Sequence, residues 1–154
     1  MTKILAISDS HGRKDLVSRL VKEHSDSNLI FHLGDFSQDM WDFAYDENVY
    51  VVKGNMDPFL PKADYAKEEI VLDIENLKIW LLHGHRYEAH FSTQKMLDKA
   101  IKNGLQLVCY GHTHKAEFQE KNGIYFFNPG ALKNNEYGLI FIENGNIKAE
   151  LRVI

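Results

Sequence analysis

Apolar residues along this chain fall mostly in short β-like runs, and at two places the spacing turns helical. Lys3–Asp9 reads as a buried strand, and Lys14–His24 follows with Leu16, Val17, Leu20 and Val21 on one stripe of an amphipathic helix. Leu29–Asp35 and Val49–Asn55 read as further strands, so the opening is β-α-β with a right-handed crossover between parallel strands. Between them Gln38–Tyr45, carrying Met40, Trp41 and Ala44, predicts a short helix, while Asp57–Ala66, with two prolines, predicts a surface loop. The pattern then changes. Glu69–Ile74 and Leu77–His83 predict a hairpin around Glu75-Asn76. Ser92–Asn103 predicts a helix, with Ser92 as N-cap, a stripe of Met96, Leu97, Ala100 and Ile101, and Gly104 as the stop. After a buried strand at Leu105–Tyr110, Asn122-Gly123 and Asn144-Gly145-Asn146 mark two more hairpins. A crossover-rich first half and a hairpin-rich second half predict a mixed-sheet α/β sandwich in one domain spanning 1–154: two sheets packed together, helices outside.

Five of the predicted strands end alike, in a polar side chain beside a glycine. The endings are Asp9-Ser10-His11-Gly12, Gly34-Asp35, Gly54-Asn55, His83-Gly84-His85 and Gly111-His112-Thr113-His114. Taken singly, each polar residue there reads as a turn or cap residue. As an ordered series of carboxylate, amide and imidazole they read as strand ends converging on one edge, where open α/β sheets bind their ligands. Asp9 and His11 are two apart, as are His112 and His114, so strand alternation predicts that each pair shares a face. Imidazole, carboxylate and amide oxygen together suit Mn, Fe, Zn, Ni or Co and suit calcium poorly. Seven such donors, Asp9, His11, Asp35, Asn55, His83, His112 and His114, exceed the needs of one tetrahedral ion. They suffice for two ions if one carboxylate is shared, and Asp35, on the strand next to the first, is the natural bridge. Two divalent cations would leave the site net positive and attractive to a phosphate, although the 154-residue chain carries a net charge of −4.

The rest of the composition excludes more than it assigns. No basic stripe marks a nucleic-acid surface, and no apolar run reaches the length of a membrane span. The first strand begins by Lys3, which leaves no room for a signal peptide, and a cytoplasmic location is expected. Cys109, the one cysteine, reads as a small core residue rather than a nucleophile.

The series D-x-H, G-D, G-N, H and G-H-x-H, in that order from Asp9 to His114, resembles the calcineurin-like metallophosphoesterases. Gly54-Asn55-Met56-Asp57, His83-Gly84-His85 and Asn128-Pro129-Gly130-Ala131 are most similar to the compact bacterial and archaeal phosphodiesterases of that family, to which the eukaryotic retromer subunit is related. The resemblance implies a four-layer αββα sandwich and a metal-dependent phosphoesterase, most of all a phosphodiesterase acting on a small phosphodiester. It implies two divalent transition-metal ions, with manganese expected first. One would sit on Asp9, His11, Asp35 and His114, the other on Asp35, Asn55, His83 and His112, and a hydroxide between them would attack phosphorus in line. Asp35, Asn55 and His85 are the residues assigned to catalysis. Relatives are often dimers or tetramers, so a homo-oligomer is a further expectation. Two alternatives stand beside the enzyme: a protein-binding scaffold on the same fold, and a nuclease acting on short nucleic acid.

One departure bears on substrates. Larger family members carry a histidine after Gly-Asn, where this chain has Met56, and a thioether has no proton to donate. Good leaving groups are therefore expected to be favoured. Of the remaining histidines, His85 is open to two readings, a phosphate contact or a solvated loop residue. His32 reads as a satisfied core residue, His24 as a complement to the first helix dipole, and His90 suggests nothing. Arg13 reads as a solvated helix-start residue. Trp41, Phe43 and Tyr45 read as helix packing, and Phe59, Leu60 and Pro61 as shaping either substrate access or an oligomer contact.

Overall fold

Every long apolar run in the chain is split by strand alternation between two faces, and that split builds the layers. The computed structural model describes residues 1–59 and 64–154, of Phe59 the backbone only. Strands β1 (Thr2–Ile7), β2 (Leu29–His32) and β3 (Val49–Val51) are parallel, with helix α1 (Lys14–Glu23) crossing between the first two. Strand β9 (Glu136–Glu143) pairs antiparallel with β1 and β10 (Asn146–Val153) antiparallel with β9, giving the sheet order β10-β9-β1-β2-β3. The second sheet, β4-β5-β6-β8-β7, is formed by β4 (Glu69–Ile74), β5 (Leu77–Leu82), β6 (Leu107–Cys109), β7 (Glu117–Lys121) and β8 (Ile124–Asn128). Here β5, β6 and β8 run parallel, helix α2 (Gln94–Asn103) connects β5 to β6, and β4 and β7 close the edges antiparallel.

Three buried clusters fill the gaps between four layers. Ile4 and Ala6 of β1 face the second sheet, where Ile79, Leu81, Leu107, Cys109 and Phe127 meet them. Their alternates Leu5 and Ile7 turn outward onto Leu16, Val17 and Leu20 of α1. On the other side Trp80, Leu82, Val108 and Phe126 pack under Met96, Leu97 and Ala100 of α2. The result is an αββα sandwich of two mixed sheets, in which strands buried on both faces need the near-continuous apolar runs the chain carries. Cys109 lies in the inter-sheet core, and burial pushes its thiol well above the ordinary range, so it is an inert core residue.

Several expectations are corrected by the structure. The strands stop before the polar endings: β1 ends at Ile7, β2 at His32, β3 at Val51, β5 at Leu82 and β6 at Cys109. The predicted helix at Gln38–Tyr45 is one 3-10 turn over Ser37–Met40, which Phe36 enters in the left-handed conformation. Trp41 and Tyr45 are consequently not packed as helix residues; they are 42% and 71% exposed and meet Tyr65 in an aromatic cluster. Helix α2 starts at Gln94 with Thr93 at the cap position, while Ser92 only accepts a bond from the Gln94 amide at 3.3 Å. His24 is buried against the Tyr137 hydroxyl, and burial, then the charges of Lys3 and Arg152, lower its pKa, so as a neutral ring it does not complement the helix dipole. His32 is the satisfied core residue expected, bonded to Ser10 Oγ at 2.9 Å and the Gly34 amide at 3.2 Å. Arg13 pairs with Asp15 near solvent. Leu60, Pro61 and the Phe59 side chain lie outside the described residues. Among the described residues, no helix is long and apolar enough to cross a membrane.

Candidate metal centre

Both sheets end their parallel strands at the same edge, and the loops leaving those strands carry the polar residues. Asp9, His11, Asp35, His112 and His114 have φ between 45° and 69°, the left-handed region. Strand alternation therefore does not bring Asp9 and His11 together. The turn out of the sheet does, at a cost of about 1–3 kcal/mol for each non-glycine residue so held. The loops brace one another through their backbones: Asp9 N donates to Gly34 O (2.9 Å), Gly111 N to His83 O (3.0 Å) and Leu132 N to Ser8 O (2.9 Å). At Gly111 an added Cβ would strike Ser8 Oγ and come within 2.7 Å of Asp9 Oδ2, so this loop approaches the carboxylate as closely as backbone can.

Two overlapping groups of donor atoms result: Asp9, His11 and His114, and Asp9, Asp35 and His83. His114 Nε2 lies 3.1 Å and His11 Nε2 3.8 Å from Asp9 Oδ1. Asp35 Oδ2 stands between two imidazoles, 3.8 Å from His11 Nε2 and 3.5 Å from His83 Nε2. Asn55 is exposed, and its Oδ1 reaches His83 Nε2 at 3.1 Å. His112 is outside both groups. Its ring lies 5.0 Å from that of His83, and its amide donates to Asp9 Oδ2 at 3.2 Å. His85 is half-buried, with its ring 5.5 Å from that of His83 and 6.1 Å from that of His112.

The donor chemistry calls for a cation. His83 Nδ1 must donate to the Leu33 carbonyl at 2.7 Å, so in the neutral ring Nε2 carries the lone pair. That nitrogen faces three oxygens, of Asn55, Asp35 and Asp9, at 3.1, 3.5 and 3.9 Å, and none of them is a donor. His11 Nε2 is buried and finds no hydrogen-bond partner among the described residues. Lone pairs gathered around two buried carboxylates are satisfied by a proton or by metal ions, so the residues present fit a divalent cation. The titration behaviour follows the same logic. Burial works against the charged form of Asp9, but His11, His114, His83 and Ser8 outweigh it and hold the carboxyl far below the usual range. Asp35 is lowered against burial in the same way, chiefly by His83. His83, though buried, is raised by the two carboxylates. His112 is pushed down to about 4, first by burial and then by His83 and His90, which keeps its lone pair available at neutral pH.

Three further residues bond or pack against the donor loops. Asp57, 3% exposed, accepts bonds from the amides of Asp35 (3.1 Å), Ser37 (2.9 Å) and Gly54 (2.6 Å) and from Ser37 Oγ (2.6 Å), tying the Asp35 and Asn55 loops together. Its motif position was visible, its work was not. Asn128 donates to Gly111 O at 3.1 Å and Thr113 Oγ1 at 3.0 Å while accepting from the Gly130 amide, so the Asn-Pro-Gly segment shapes the His112–His114 loop. Gly130 turns the segment at φ +82°, a left-handed backbone that favours glycine. His90 places its ring 4.0 Å from that of His112. No sequence signal pointed to it.

Two mixed sheets with a histidine- and aspartate-rich edge define the metallophosphoesterase architecture, and the comparison with known proteins agrees. The calcineurin-like phosphoesterase superfamily domain matches residues 2–142, and the chain belongs to that superfamily. It is 30% identical to the probable metallophosphoesterase YsnB of Bacillus subtilis over 148 residues, covering 92% of this chain and 85% of that protein. A phosphodiesterase of Methanocaldococcus jannaschii is also 30% identical, over 83% of this chain and 82% of its own. Among solved structures, a predicted phosphoesterase of Streptococcus pneumoniae superposes with a TM-score of 0.82 at 26% identity, covering 99% of this chain and 89% of its own. Vps29 of Entamoeba histolytica, solved with zinc, shares the fold at a TM-score of 0.73 and 23% identity, covering 99% of both chains.

Proposed function

We propose that the protein is a metal-dependent phosphodiesterase that hydrolyses small phosphodiesters at this edge. The observation that carries the reading is Asp35 Oδ2, one oxygen placed between His11 and His83, which belong to different halves of the donor set. On this reading Asp9, His11, Asp35 and His114 hold one divalent ion and Asp35, Asn55, His83 and His112 the other, with manganese the first to try. Bound ions supply Lewis acidity, acidifying water and offsetting charge that develops on the phosphoryl oxygens.

The chain's own residues do the rest. The Leu33 carbonyl fixes the His83 ring, and the Met56 amide, donating to Asp35 Oδ1 at 2.9 Å, fixes the shared carboxylate. His85 has a buried Nδ1 without a partner among the described residues, and burial, then His83, lowers its pKa. In the neutral ring its N–H serves as a hydrogen-bond donor to a phosphoryl oxygen. Met56, 39% exposed, offers the departing oxygen no proton. Diesters with good leaving groups are therefore turned over better than alkyl monoesters. A buried lone cysteine fits a reducing cytoplasm.

The test is hydrolysis of bis-p-nitrophenyl phosphate with Mn²⁺ by the protein and by Asp35→Asn. The expected loss is at least about a hundredfold, and equal rates would sink the reading. The fold shared with Vps29 keeps a scaffold role as the second reading. It would gain if the protein, after incubation with Mn²⁺ and desalting, held no metal by elemental analysis.

A further inference from the structure

Beside the metal centre lies a second, polar pocket of about 250 Å³ whose lining includes His90, Thr93, Thr113, Lys115, Glu117 and Lys121. It shares a wall with the metal site: Thr113 stands between His112 and His114, and the His90 ring lies 4.0 Å from that of His112. Its lining is rich in donors. Lys121 Nζ donates to Thr93 Oγ1 at 2.6 Å, which pins one ammonium to the wall and leaves the threonine its own O–H to donate. Thr113 Oγ1 likewise accepts from Asn128 Nδ2 at 3.0 Å and from the Lys115 amide at 3.2 Å, so its hydrogen is also free to point into the pocket. Among the described residues neither lysine has a carboxylate partner. The one carboxylate in the lining, Glu117, is engaged by the Tyr110 hydroxyl. Two ammonium groups and two hydroxyl donors facing one occupied carboxylate make a site for an anion.

Taking the phosphodiesterase reading as its basis, we propose that this pocket is the subsite for a second anionic group, a phosphate or carboxylate, carried on one arm of the diester. A diester held at the metal edge has two organic arms, and the arm on the His112 side runs past Thr113 and His90 into the pocket. An anion at its end meets Lys115, Lys121 and the two threonine hydroxyls. The preferred substrates are thus diesters that bear a further negative charge, drawn by the two lysines to this recess beside the metal edge.

Two chromogenic diesters that differ by one phosphate test this: the 5′-(p-nitrophenyl phosphate) of thymidine, with and without a 3′-phosphate. With the Mn²⁺-loaded protein, the 3′-phosphorylated compound is expected to show a KM at least about tenfold lower, with a smaller change in kcat. In the variant carrying Lys115→Gln and Lys121→Gln, which removes both charges but leaves a polar amide one bond shorter than each lysine, that advantage should shrink to within about twofold. A ratio near one in the unmodified protein, or a ratio the variant retains, overturns the subsite. Hydrolysis of neither compound counts against the phosphodiesterase reading instead. The subsite is then decided by titrating thymidine 3′,5′-bisphosphate into metal-free protein in EDTA and following amide NMR signals. Shifts at Thr93, Thr113 and Lys121 that the variant loses support it, and their absence from the unmodified protein overturns it.

Discussion

Asp57→Ala should cost more stability than any exposed substitution in the molecule, although Asp57 holds no metal in the proposed scheme. Its carboxylate accepts from three buried backbone amides, of Asp35, Ser37 and Gly54, and from the Ser37 hydroxyl. The hydroxyl loses little, because Ser37 Oγ also donates to the Val52 carbonyl at 2.9 Å. The three amides have nowhere else to turn. At about 1–2 kcal/mol for each buried donor left unpaired after relaxation, the loss is ~3–6 kcal/mol, out of roughly 5–15 kcal/mol for a whole domain. Asp57→Asn keeps one acceptor oxygen and turns an NH₂ towards a donor, so it should lose about half as much. Urea unfolding at pH 7 measures both, and the thermal midpoint of the alanine variant should fall by at least about 6 °C. Because Asp57 sets the spacing of the Asp35 and Asn55 loops, Mn²⁺ affinity should fall as well, by about 10–100-fold. A loss below about 1 kcal/mol with unchanged metal affinity would refute the reasoning, for it would mean that these amides find other partners.

Other outcomes follow from the same geometry. Gly111→Ala forces a Cβ against Ser8 Oγ and Asp9 Oδ2, so metal binding measured by calorimetry should be lost or weakened by at least about tenfold, and wild-type affinity would contradict the close approach. Mn²⁺ at about a hundred times its Kd should add ~2.7 kcal/mol of stability and raise the melting midpoint by roughly 5–11 °C over EDTA. Asp9→Asn should abolish most of that increment, and identical midpoints with and without metal would argue against a built site. His24, lowered by burial from the ordinary value of 6.5, leaves the folded state binding fewer protons than the unfolded chain. Stability it contributes is present above about pH 6.5 and lost as the pH falls through and below that value. In denaturant titrations from pH 5 to 8, His24→Gln should flatten this slope, and parallel profiles for the two proteins would remove His24 from the account.

The order and chemistry of the candidate metal-donor residues were legible in the chain because they are local. Each candidate donor lies in a short polar segment that follows an apolar run and contains a glycine, and neither feature needs a distant partner to be read. The hairpins at Asn122-Gly123 and Asn144-Gly145 were legible for the same reason: the turn residues themselves set the register of β7 with β8 and β9 with β10. The four layers were readable as far as alternation goes, since Ile4 and Ala6 must face away from Leu5 and Ile7.

Tertiary structure decided what depends on where loops meet. Strand period could not place Asp9 beside His11, because both lie past the last ladder bond of β1 in left-handed conformations that a neighbouring loop must hold. Nothing in the local sequence says that Asp57 will close on Asp35 across 22 residues, or that the His90 ring will pack, tilted, against that of His112. The short turn after Ser37 displaced a predicted helix because Asp57 and Val52, both distant in the chain, claim Ser37. Local residue chemistry thus named the candidate donors, and long-range hydrogen bonds and packing, which no short window of sequence contains, set the distances between them.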